Sequence, residues 1–139
     1  MRFMMVIFRK DWPDSNKPVD IRDRAAFAEM GKYNDQLKKA GILLAMDGLT
    51  PPSMGARVTY QDGKSKVTDG PFAEAKEAIA GYWMIEVKSR EEALEWASRI
   101  PCMGHDGMVE VRRVAEISDF PEDLQKKFAE KGAKLGVQR

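Results

Sequence analysis

A single cysteine, Cys102, and a single histidine, His105, stand in 139 residues. One thiol cannot close an intrachain disulfide, which fits a reducing compartment. One thiol with one imidazole is too small a ligand set for a zinc site. A surplus charge is missing as well. The 23 basic and 22 acidic side chains leave a formal charge of +1, so nothing pulls the chain toward nucleic acid or an anionic lipid surface. No apolar run approaches the length that spans a bilayer. The apolar start, Met1 to Phe8, is too short for a signal peptide and has no small-residue cleavage site. No phosphate loop, nucleotide fingerprint or serine-centred elbow occurs. These absences predict a cytoplasmic protein without membrane segment, metal or cofactor, and without direct contacts to nucleic acid.

What is present suits one folded domain: 43% of the residues are hydrophobic and 32% charged, enough for a core under a well-solvated surface. Residues 3–8 form a short β-rich run. Ala26, Met30, Tyr33, Leu37 and Ala40 recur at helical spacing, predicting a helix over about 21–40 with Lys38 and Lys39 in its last turn and Gly41 after it. Tyr33 on this stripe reads as a core residue with its hydroxyl at the rim. Residues 42–49 predict a strand. Residues 56–61 and 64–68 predict two more, joined by Asp62-Gly63, a favoured two-residue hairpin connection. Residues 79–87 are the most strand-like run. Ser89 with Glu92 three residues on predicts a capping box for a helix to about Arg99, stopped by Pro101. Residues 108–114 predict the last strand, and Ser118 or Asp119 a cap for a final helix over about 121–131. The order is β-α-β, a hairpin, then β-α-β. Without the hairpin it is an α+β, ferredoxin-like plan of four antiparallel strands with two helices on one face.

Alternation along strands sorts side chains between the two faces of such a sheet. Met4, Val6 and Phe8, with Trp83, Ile85, Val87, Val109 and Val111, are assigned to the helix side. Phe3, Met5 and Ile7, with Tyr82, Met84 and Glu86 and with Met108, Glu110 and Arg112, are assigned to the other. An apolar face with ionisable groups inside it is too large a patch to leave in water. It predicts a homodimer whose sheets pack face to face and enclose Glu110 and Arg112. Arg112 can then hold an anionic group, and Glu110 or Glu86 can handle a proton. The competing reading is a structural ion pair in the dimer interior.

The densest local signal is Val67-Thr68-Asp69-Gly70-Pro71-Phe72-Ala73-Glu74-Ala75-Lys76-Glu77. Asp69-Gly70-Pro71 is turn chemistry: Asp bonds its own backbone, Gly can take positive φ, and Pro fixes φ. Phe72 follows as an apolar plug, and Glu74, Lys76 and Glu77 crowd charge beside it. Asp47 and Asp69 both precede glycine at strand ends and could share a cleft with Lys76, though each could simply stabilise its turn. The candidate catalytic carboxylates are Asp47, Asp69 and Glu110. The candidate ligand contacts are Asp69, Phe72, Lys76, Tyr82 and Arg112. His105-Asp106 lies in a glycine-flanked loop and reads as an exposed pair, and Cys102 reads as a structural thiol.

The stretch from Val67 to Glu77 resembles the signature of the DGPF, or YCII-related, domain proteins: Asp-Gly-Pro-Phe, then Glu, then Lys-Glu. Met1 to Phe8, Ala40-Gly41 to Pro52, Gly81 to Val87 and Val109-Glu110-Val111-Arg112 match in the same order, over residues 1–117. The resemblance implies a ferredoxin-like subunit that dimerises into an α/β barrel, with residues 118–139 as an added helix and tail. It implies no settled activity. Some relatives carry a His-Asp pair with the histidine on the first helix. Here Met30 and Tyr33 occupy that region, so the pair does not carry over. Three readings follow: a homodimeric module binding a small polar or anionic molecule, a metal-independent enzyme of lyase, isomerase or oxygenase type on the same scaffold, or a transcription-associated interaction module using the hairpin or the C-terminal helix.

Overall fold

The structure, a computed structural model, describes residues 1–10, 24–70, 78–101 and 107–131. Four strands, β1 (Arg2–Arg9), β2 (Leu43–Gly48), β5 (Ala78–Glu86) and β6 (Gly107–Arg113), form one antiparallel sheet in the order β2-β5-β1-β6. A separate hairpin joins β3 (Ala56–Gln61) to β4 (Lys64–Asp69). Helices α1 (Arg24–Lys39) and α2 (Arg90–Ser98) pack on one face of the sheet, and α3 (Glu122–Glu130) follows β6. With the hairpin set aside, the order and the antiparallel pairing match the expected βαββαβ plan.

The core lies between that face and the two helices: Phe3, Met5, Trp83, Ile85 and Val87 from the strands, Tyr33 and Leu37 from α1, and Ala93 from α2. Phe3 pairs with Ile85, and Met5 with Trp83 and Val111, which puts these residues on the helix side. The assignment of β1 is therefore reversed from expectation: Phe3, Met5 and Ile7 pack on the core, and Met4, Val6 and Phe8 face away. The assignments of β5 and β6 hold. Every residue from Phe3 to Phe8 is apolar, so alternation along β1 carries no phase. Only cross-strand register sets its faces.

Polar groups inside the core are paired, as burial demands. The Tyr33 hydroxyl donates to the Trp96 carbonyl at 2.8 Å, and the Trp83 indole N–H donates to Asn34 Oδ1 at 2.8 Å. Burial pushes the Tyr33 phenol up to about 12, against a smaller opposing pull from Arg99. The ring meets Trp83 and Trp96 edge-on, a favoured aromatic geometry. Tyr33 is thus the core residue expected.

Helix ends follow local chemistry with two corrections. The Ser89 hydroxyl accepts the Glu92 N–H at 3.1 Å, but the Glu92 carboxylate reaches past it to the Lys88 N–H, so the reciprocal half of the box is displaced by one residue. Neither Ser118 nor Asp119 caps α3. Both lie in a 3₁₀ turn, Ile117–Asp119, and Pro121 stands at the helix start. Asp119 instead accepts from the Arg113 guanidinium and the Glu116 N–H, both at 2.7 Å, which hold its carboxyl below the usual range.

Candidate functional site

The face of the sheet opposite the helices carries the candidate side chains, and register places them in rows. One row runs Asp47, Tyr82, Val6, Glu110 across β2, β5, β1 and β6; the next runs Ala45, Met84, Met4, Arg112. The centre of this open face, Met4, Val6 and Met84, is therefore apolar; Asp47, Glu110 and Arg112 stand on the edge strands, Tyr82 on β5, and Arg2 and Glu86 are cross-strand partners at one end of the central pair. Tyr82 donates its hydroxyl to Asp47 Oδ2 at 2.8 Å, a bond made possible because Asp47 is its direct cross-strand partner. The close approach of β2 to β5 needs glycine nearby. A Cβ on Gly81 would stand 2.7 Å from the Asp47 carbonyl oxygen.

Glu110 and Arg112 share the open face of β6, two residues apart. Among the described residues neither side chain has a hydrogen-bond or ion-pair partner. The structural ion pair considered from sequence is thus not formed within the chain. Three strand spacings separate Asp47 from Glu110, about 14 Å, so these two carboxylates do not act as a dyad on a single sheet.

Asp69 ends β4 opposite Ala56, in the hairpin rather than in the main sheet, and the structure does not pair it with Asp47. The foot of the hairpin is nonetheless tied to the chain just past β2. The Gly70 N–H donates to the Gly55 carbonyl, and a Cβ on Gly70 would fall 1.9 Å from the Pro52 carbonyl oxygen. This corrects the reason for the motif's glycine. Gly70 is not among the positive-φ residues; it is needed because backbone passes against backbone there. Phe72, Lys76, Glu74 and Glu77, like Cys102 and His105, lie outside the described residues.

A hollow of 330 Å³ opens on the helix side, lined by Met1, Phe3, Arg90, Leu94, Val111 and Arg113. None of the residues predicted from sequence lines it. Among the described residues no cluster of His, Cys, Asp or Glu could hold a metal ion, and no helix is long and apolar enough to cross a membrane. Sequence reasoning named Asp47 and Tyr82 separately. Their pairing depends on the β2–β5 register, which neither strand states by itself.

An uncharacterized protein of Rhizobium meliloti (strain 1021) is 32% identical over 75 residues, 54% of this chain and 60% of the relative's own length. A solved 5-chloro-2-hydroxyhydroquinone dehydrochlorinase from Burkholderia phenoliruptrix AC1100, in complex with 2,5-dihydroxybenzoquinone, aligns with a TM-score of 0.44 at 22% identity, over 84% of this chain and 95% of that one. The model of the YCII-related domain matches residues 1–118, across the whole sheet and both of its covering helices, and the chain belongs to that family.

Proposed function

We propose that the protein binds a small polar or anionic molecule on the open face of its four-stranded sheet, and that a second copy packs against the same face to enclose it. The observation that carries this reading is the composition of that face. Met4, Val6 and Met84 form an apolar centre, flanked by Glu110 and Arg112 on one edge strand and by Asp47 on the other, which is bonded to Tyr82 of the neighbouring β5. A mostly apolar bed with a few convergent polar groups is the usual make-up of a ligand site. Face-to-face packing of two such sheets is also the step that would build a dimeric α/β barrel. In this arrangement Arg112 anchors the anion, and the Tyr82 oxygen, its proton donated to Asp47, accepts a directional hydrogen bond from a polar group of the ligand. Asp69 belongs to the mouth of the site, because its hairpin is anchored at Pro52, five residues beyond Asp47.

A metabolite screen by thermal shift tests the reading. Stabilising ligands should be lost on Arg112→Ala and weakened in Asp47→Asn. A ligand whose effect is unchanged in both variants would place binding elsewhere. One observation favours an enzyme on the same scaffold. The 2.8 Å Tyr82–Asp47 bond joins a phenol to a carboxylate, a pair able to move a proton at a bound substrate. Turnover of a screened ligand that disappears in Asp47→Asn while its binding remains would support that reading.

A further inference from the structure

The hairpin β3–β4 is amphipathic and has no core of its own. Its register pairs Val58 with Val67, Tyr60 with Ser65 and Thr59 with Lys66. Alternation then places Val58, Tyr60 and Val67 on one face and Arg57, Lys64 and Lys66 on the other. Both strands are exposed along their whole length. Val58 is 49%, Val67 65% and Tyr60 80% exposed. A two-stranded ribbon alone in water is marginal and needs something against its apolar face. Yet this one is shaped with care. Asp62 and Gly63 both take positive φ, at 52° and 74°, as a tight two-residue turn requires, and the foot is clamped where Gly70 meets Pro52.

We propose that this arm is an assembly surface. Two copies of the chain stack their hairpins face to face about a two-fold axis, Val58, Tyr60 and Val67 of one against the same three residues of the other. The charge distribution selects this occupant. All three basic residues of the strands lie on the outer faces of such a stack, so pairing buries no cation; Asp69, the charge that shares the inner face, stands at the foot of the ribbon beyond Val67. A lipid surface fits poorly, because both edges of a two-stranded ribbon carry unpaired backbone groups that hydrocarbon cannot satisfy. A polyanion on the basic face would leave the apolar face in water. The contact is separate from the sheet-face pairing proposed above. Two different two-fold contacts on one chain close into a dimer of dimers when their axes meet at right angles.

Light scattering during size exclusion tests the proposal on the full chain. The double variant Val58→Lys/Val67→Lys should have half the mass of the wild type with an unchanged circular dichroism spectrum, while Val58→Ile/Val67→Ile keeps the wild-type mass. Equal masses for the wild type and the lysine variant would overturn it. The sheet-face variant Met84→Lys separates the two contacts. If sheet-face pairing does not occur, the wild type is a dimer, Met84→Lys leaves it so, and only the hairpin variant becomes a monomer. Hydrogen exchange gives a second reading without mutation. The amides of β3 and β4 should be protected at high concentration and exposed on dilution, and exchange independent of concentration would contradict the proposal.

Discussion

The four-stranded sheet and the hairpin are built from the same alternation and come to opposite ends. In β5 every second residue from Gly81 to Ile85 is buried, under α1 and α2. In β3 and β4 no residue is buried, although Val58 and Val67 are as apolar as their counterparts in the sheet. Alternation states which side chains share a face. What covers that face is a separate property, set by helices in one region and by nothing among the described residues in the other. The open face of the main sheet stands between the two, apolar at its centre and polar at its edges.

Truncation in the covered region should have the largest effect. Leu37→Ala removes a fully buried side chain and should cost about 2–5 kcal/mol in urea unfolding; a cost below about 1 kcal/mol would mean that the helix layer contributes little to the core. Next comes the joint between the regions. Gly70→Ala drives a Cβ into the Pro52 carbonyl and should cost about 1–3 kcal/mol, with hydrogen exchange rising first in the hairpin. If exchange rises equally across β5, hairpin and sheet form one cooperative unit.

Tyr33→Phe should cost about 1 kcal/mol through the lost bond to the Trp96 carbonyl. It also carries a pH signature. The folded chain holds the phenol up to about 12 from an ordinary 10.0, so the unfolded chain loses its proton first. The stability it lends is whole below pH 10 and falls as pH rises toward about 12. The wild type should lose stability across that window, and Tyr33→Phe should lack that part of the slope. At the small end, Thr59→Ala on the polar face of the hairpin, where the hydroxyl only meets the Lys66 carbonyl at 3.4 Å, should stay within about 0.5 kcal/mol.

Elements with local signals were legible in the sequence. The Asp62-Gly63 turn defines the hairpin, Ser89 starts α2, and the stripe of Met30, Tyr33 and Leu37 defines α1. The faces of β5 and β6 were legible because polar residues interrupt them. Those of β1 were not, since an all-apolar strand has no phase of its own. The candidate site divided in the same way. Glu110 and Arg112 were placed by alternation on a strand with mixed polarity. The Asp47–Tyr82 bond needed register between distant segments, and the reason for Gly70 needed the path of the Pro51-Pro52 turn.

The open sheet face is the centre of this account, and its methionines report on it. Met4 and Met84 lie on that face, Met5 lies in the core, and Met54 is solvent-exposed. Oxidative footprinting of the intact protein, read residue by residue, should find Met4 and Met84 protected nearly as well as Met5 at micromolar concentration and reactive on dilution. Met4 and Met84 oxidising as fast as Met54 at every concentration would mean that no second copy covers the face, and would contradict the enclosed site.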